Sequence, residues 1–241
     1  MRPEAAATAT AAVAAAGALQ WLGRTYGSTA DERRRALPGD ELVEAPQVIT
    51  NHATTINASP ESVWPWLAQM GWGRGQWYTA RWVDKLLFPS NGPSADVIVP
   101  ELQNLNVGDV VLDGPPEANC SFTVEGLEQN RYLVLHSREH LPPGWAERGA
   151  GIDFTWVFVL DDLGDGRTRL LFRCRARLWP LWVRAIYLAA MIPADFVMSR
   201  QMLRGISSRV ERTSFAGTYD APAATSAAKA EAVRSVTTIR S

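Results

Sequence analysis

Imidazole is scarce in this chain: the histidines are His52, His136 and His140. His136 and His140 stand in H-x-x-x-H spacing, which on a helix would present two rings on one face and suit a zinc ion. The stretch around them reads instead as a strand running into a loop. Ser137 also occupies the position where the metalloprotease motif carries Glu. No metal site is expected. His136 would serve as a general base if its ring faced a cavity; a paired or exposed strand histidine is the commoner arrangement. Arg74 and Tyr78 are the other candidates for polarising a carbonyl or moving a proton.

Arg74 sits in Gly71-Trp72-Gly73-Arg74-Gly75, which resembles a phosphate cradle. The run follows a helical stretch rather than a strand, and Gln76 stands where a dinucleotide fingerprint needs its last glycine. A permissive turn is the better reading. There is no Gly-x-Ser-x-Gly nucleophile elbow. Cys120 and Cys174 form no C-x-x-C pair, so free thiols in a reducing, cytoplasmic setting are expected. Asp109 and Asp113 lie near turns, and Glu139 lies beside His140. No cofactor signature is present.

Several elements must position these groups. Gln47–Asn57 reads as a strand. Ser59, Pro60 and Glu61 then open a helix as cap, first residue and dipole partner. Val63, Trp64, Trp66, Leu67 and Met70 recur at helical spacing up to Gly71. Tyr78, Trp82 and Leu86 define the face of a second short helix. Ser121–Glu125 and Arg131–Ser137 form a hairpin whose register stays open between two pairings. For the last hairpin, alternation puts Ile152, Phe154, Trp156, Phe158 and Leu160 on one face. The matching strand presents Thr168, Leu170, Phe172, Cys174 and Ala176. A loop across Asp162–Gly166 sets Phe158 opposite Leu170 and Trp156 opposite Phe172. The same register pairs Asp153 with Arg175 and Asp161 with Arg167. Arg169, Arg173, Arg175 and Arg177 then form an outer, wetted stripe, a solvated face rather than a nucleic-acid site.

Trp179–Ile192 is apolar but short for a bilayer span. It suits a membrane interface or the cover of a cavity mouth. Pro193 is expected to separate it from a last helix that begins near Asp195 and carries Phe196, Leu203, Ile206 and Val210 on one stripe. Gly205, within that helix, marks a close approach by sheet or helix. Glu139–Gly151 reads as a lid or a plain connector. Ala5–Leu22 has no charged residue and is mostly Ala and Thr, so it reads as a surface helix or, alternatively, an anchor or signal. Ser28–Glu32 is a second helix cap. Ser214–Ser241 has no periodicity and reads as a disordered tail.

The run Ile-x-Ala-Ser-Pro-Glu-x-Val-Trp-x-Trp-Leu, from Ile56 to Leu67, resembles the opening of the SRPBCC superfamily. That superfamily takes in START lipid-transfer domains, polyketide cyclases and the birch-pollen allergen fold. The similarity continues through Gly71–Tyr78, Ala95–Asp109 and Asp195–Arg212. It implies an α+β helix-grip: a curved antiparallel sheet wrapped round a long C-terminal helix, with an internal cavity. The expected organisation is a helical extension over 1–46, a helix-grip domain over 47–213 and a tail over 214–241. Trp66, Tyr78, Trp82, Trp156, Phe158, Phe172, Phe196 and Leu203 are the expected lining of the cavity.

The chain has 241 residues, net charge −1 and ten Trp. That balance offers no whole-chain attraction to nucleic acid, while ten Trp indicate a large aromatic core or pocket. The expected partner is a small hydrophobic molecule: lipid, polyketide or isoprenoid-like. Binding without transformation is the preferred function. The alternatives are a cyclase, aromatase or dehydratase, and a membrane-associated lipid handler docking through Ala5–Leu22 or Trp179–Ile192.

Overall fold

The computed structural model describes residues 3–87 and 89–219. Helix α1 (Pro3–Thr25) leads into the short α2 (Ala30–Arg34). Strand β1 (Val48–Ile56) is followed by α3 (Pro60–Ala68) and α4 (Arg81–Leu87). Then come β2 (Val110–Leu112), β3 (Ser121–Glu128), β4 (Tyr132–Ser137), β5 (Gly151–Asp162) and β6 (Thr168–Trp179). Helix α5 (Leu181–Ile186), a π turn (Tyr187–Met191) and α6 (Ile192–Tyr219) complete the described chain. The six strands form one antiparallel sheet in the order β1-β6-β5-β4-β3-β2, and α6 lies against its inner face. This is the expected helix-grip architecture.

Period-two alternation sorts the sheet into two faces. Inward go Phe154, Trp156, Phe158, Leu160, Leu170, Phe172 and Leu178, which meet Ile192, Met202, Leu203, Ile206 and Val210 of α6. The register of the last hairpin differs from expectation. Phe158 faces Phe172 and Trp156 faces Cys174, two residues from the expected pairing. The turn sits one residue further along than anticipated: Asp162 pairs with Thr168, and Gly164 and Gly166 take φ of 75° and 78°. A two-residue slip keeps every side chain on its face, so the apolar pattern could not detect it. Neither expected charge pair forms. Asp153 lies opposite Arg177 and Asp161 opposite Arg169. In the β3–β4 hairpin a bulge between Val124 and Gly126 shifts the register midway, which explains why two pairings suited its sequence equally well.

The outer face is not wetted along its whole length. Leu37 packs there with Ala53, Val134, Val157, Val159 and Leu171 in a second apolar cluster. Arg173 is only 3% exposed. Its guanidinium donates to Asn51 Oδ1 (2.6 Å), Asp40 Oδ2 (2.7 Å) and the carbonyls of Glu32, Arg33 and Arg35. Arg169 is bridged to Glu32 at 2.8 Å. The arginine stripe thus staples residues 32–40 across the sheet. An outward side chain meets water only when no other segment crosses the face, and alternation is blind to that.

Pro193 does not end a helix. The chain runs helically from Leu181 onward, with the π turn directly before the proline. There the Ile192 N–H donates to Tyr187 O, five residues back. The widened turn accommodates a residue that lacks an N–H and crowds the preceding turn. Asp195 is therefore a mid-helix residue, not an N-terminal one. The helix continues to Tyr219, past the expected start of the tail; residues 220–241 lie outside the described residues.

Candidate functional site

Between the wide end of the sheet and the helix lies a cavity of about 510 Å³, within the usual range for small-molecule sites, about 300–1,000 Å³. Ile152, Phe154, Trp156 and Leu178 form its sheet wall. Val183, Ile186, Tyr187, Met191, Asp195 and Met198 form its helix wall. The alternation of β5 and β6 aims the first group inward. The π turn and the helical period present the second. Two loops close it: residues 113–120, with Asp113 and Cys120, and residues 140–145, with His140, Leu141 and Trp145. Trp145 meets Trp182 of α5 edge to face, centroids 4.9 Å apart, so the second loop is pinned to the helix. The segment read as lid or connector does border the cavity.

Two polar groups interrupt the apolar lining. The first is a relay on the loop side. His140 Nε2 donates to Asp113 Oδ2 at 3.0 Å. A carboxylate can only accept, so Nδ1 is left to accept from the Ser137 hydroxyl, at 2.7 Å. Ser137 Oγ in turn accepts from Glu139 N–H. The ring rests on Phe122 and Phe154. Serine, histidine and aspartate stand in the order of a nucleophilic triad. Ser137, however, is 5% exposed and does not border the cavity, so only the imidazole and Asp113 are within reach of an occupant. Burial and the nearby Asp113 and Glu139 charges hold the Cys120 thiol above its ordinary range, which disfavours the thiolate a nucleophile needs.

The second group lies on the helix side, where Asp195 and Tyr187 share the wall. Burial raises the Asp195 carboxyl above the ordinary carboxylate range, partly offset by His52 and by the Ser199 hydroxyl, which donates to Oδ1 at 3.2 Å. Burial also pushes the Tyr187 phenol well up, helped by Cys174 and Asp195.

Of the eight expected lining residues, Trp156 alone borders this cavity. Phe158 and Phe172 stack on each other at 4.8 Å and fill the deep core with Leu203. Trp66 is buried against Tyr78, centroids 5.7 Å apart. Phe196 turns to Tyr26, centroids 5.6 Å apart. Trp82 is 56% exposed, because α4 buries Val83 and not the Trp82–Leu86 edge; Tyr78, at φ 57°, lies before the helix begins.

The three acid–base candidates lie elsewhere as well. Arg74 spends its guanidinium on the carbonyls of Met70, Ala68 and Leu102, closing a loop. Tyr78 donates its hydroxyl to Trp66 O at 2.9 Å, and burial raises its pKa. It borders a separate groove of about 610 Å³ lined by Arg81, Arg204 and Arg209, among others. That groove is broad and polar, without the apolar enclosure of the other. His136 points to the outer face, where Asp153 (2.6 Å) and Glu125 (3.5 Å) engage its two nitrogens. It is one residue out of phase with the inward-facing Leu135.

Asp113, His140, Tyr187 and Asp195 were not foreseen as a site. Asp113 and His140 are 27 residues apart with no shared motif. Asp195 did carry a signal: it is the acid following a strongly apolar run, visible once Pro193 is not taken as a break. Among the described residues, no group of three or more His, Cys, Asp or Glu is placed to hold a metal ion.

No protein-family model matches the chain, and no curated protein does so either. Solved structures give likenesses of fold. A norcoclaurine synthase point mutant from Thalictrum flavum, in complex with a transition-state analogue, matches at 13% identity and TM-score 0.41. That alignment covers 69% of this chain and 96% of that one. A polyketide-cyclase-like protein of Corynebacterium glutamicum matches at 15% and 0.38, over 68% and 91%. A conserved protein from Geobacillus kaustophilus matches at 13% and 0.40, over 69% and 97%. The chain has a helix-grip fold. That statement rests on strand order and the gripping helix; TM-scores below 0.5 decide nothing about function.

Proposed function

We propose that this protein binds a small, largely apolar molecule in the cavity between sheet and helix. The observation that supports this reading is the cavity itself: about 510 Å³, walled by Ile152, Phe154, Trp156, Leu178, Ile186 and Met198, with few polar groups. Burying an apolar body there gains roughly 25 cal/mol per Å² of surface withdrawn from water. The neutral probe N-phenyl-1-naphthylamine, whose emission rises on leaving water, tests it. Ala194 borders the cavity, so an Ala194→Trp variant occupies the space and abolishes the signal. Repeated preparations with no extractable apolar compound and no probe binding would overturn the reading.

A second reading, acid–base chemistry on the occupant, is favoured by the hydrogen bond that fixes His140 against Asp113 at the wall. Its support is this juxtaposition and not Arg74, Tyr78 or His136. A third, peripheral membrane contact, is favoured by Leu181, Trp182, Ile186 and Met191, which are 69%, 36%, 42% and 44% exposed beside the cavity. By length and composition, the helix Leu181–Thr213 is apolar enough to cross a bilayer. Trp and aliphatic side chains on one helix face suit an interface. Vesicle co-sedimentation of wild type and Trp182→Ser tests that contact; equal pelleting of the two removes it.

A further inference from the structure

Asp195 is a half-buried carboxyl group on the cavity wall with no ion-pair partner among the described residues. Among the described residues, no Lys, Arg or His nitrogen lies within salt-bridge distance of it. Its hydrogen bond within the chain is the one from Ser199, on its own helix. His52 makes no ion pair with Asp195: its Nε2 donates to Gly23 O at 2.8 Å, and its Nδ1 has no partner among the described residues. A carboxylate partly withdrawn from water and lacking an ion-pair partner gains from a cation placed beside it.

The cavity wall indicates which cation. Among the described lining residues its formal charges are Asp113 and Asp195, with His140 as the only basic side chain and already bonded to Asp113, and there is no Lys and no Arg. Around these acids stand the aromatic rings of Trp145, Phe154, Trp156 and Tyr187. Aromatic faces attract cations and are indifferent or hostile to anions. Acid and aromatic groups together, inside an apolar enclosure, describe an environment for an organic ammonium group. Tyr187 borders the same wall, and its phenol oxygen can accept a hydrogen bond from an occupant.

We infer that the cavity takes an apolar amine, with its ammonium on Asp195 and Tyr187, and discriminates against an equally apolar carboxylic acid. The inference deepens the binding function proposed above and rests on it. Three probes of matched length separate the two: 1-decylamine, 1-decanol and decanoate, each below its micelle concentration. The wall tryptophans Trp145 and Trp156 report binding by fluorescence, and calorimetry confirms it. The amine is expected to bind about tenfold tighter than the alcohol, and decanoate about tenfold weaker than the alcohol, each step corresponding to about 1.4 kcal/mol. Asp195→Asn is expected to bring amine and alcohol within about threefold of each other.

Decanoate binding as tightly as the amine would overturn the amine inference, as would amine preference surviving in Asp195→Asn. Because the three-probe comparison uses wild-type protein, it stands even where the variant does not fold. Alcohol binding with no amine preference defeats the inference alone. Failure of all three probes defeats the cavity reading as well.

Discussion

The carbonyl oxygen of Tyr78 occupies the place where a side chain on Gly205 would begin: a Cβ at Gly205 would stand 1.8 Å from it. Glycine in a helix interior costs about 1 kcal/mol relative to alanine. Here it is required, because the loop before α4 lies directly on α6. The expected close approach exists, and it is made by a loop residue held at φ 57° rather than by sheet or helix. Gly205→Ala should therefore destabilise the fold by about 2–3 kcal/mol despite its better helix propensity. Urea denaturation checks this; an unchanged or raised midpoint would refute the contact.

Arg173 is the centre of the outer staple. Arg173→Met keeps the volume of the stem but strands Asp40, Asn51 and three backbone carbonyls. A loss of about 3 kcal/mol is expected, as for the breaking of other buried ionic networks. Arg173→Lys should recover little of it, since an ammonium cannot reproduce the planar fork. Equal stability of the Lys and Arg forms would remove the staple from the account.

Glu32 ties the same segment to Arg169, and the Arg169 hydrogen bond holds its carboxyl down at about 2 against an ordinary 4.5. A depressed carboxylate stabilises the fold above its unfolded pKa, and that contribution fades as pH falls through the folded one. The stability gap between wild type and Glu32→Gln should therefore be full at neutral pH. It should shrink between about pH 4.5 and pH 2. A pH-independent gap would mean that the charge pair with Arg169 does not carry the effect.

The 140–145 loop is held by His140 on Asp113 and by Trp145 on Trp182. Asp113→Ala should speed amide hydrogen exchange in residues 139–150 by about tenfold or more, with little change in β5 and β6, because the opening is local. Trp182→Ala should raise both association and dissociation rates of the naphthylamine probe. If neither rate moves, the loop is not the route into the cavity.

Much of this fold is written locally. The start of α3 at Pro60, the alternation of Phe154, Trp156 and Phe158, and the need for glycine at position 205 can each be read within a dozen residues, although Ser59 makes no side-chain capping hydrogen bond. Secondary structure and face depend on neighbours in the chain, and neighbours are what a sequence displays. Register was beyond reach for the same reason: a shift of two residues leaves each of those neighbours facing the same way.

What the amino-acid sequence by itself determined is which side chains could turn inward; that a bent sheet would hold a long helix was implied by the resemblance of its Ile56–Leu67 run to a known family. Only the tertiary structure decided where the space between them stays open. It put Phe158 and Phe172 into solid core, left the hollow at Phe154 and Ile152, and turned His136 outward. It also brought His140 to Asp113 and placed Asp195 at the wall with no ion-pair partner among the described residues. Those outcomes depend on where loops close and on how volumes add up between distant segments, which no short stretch of the chain contains.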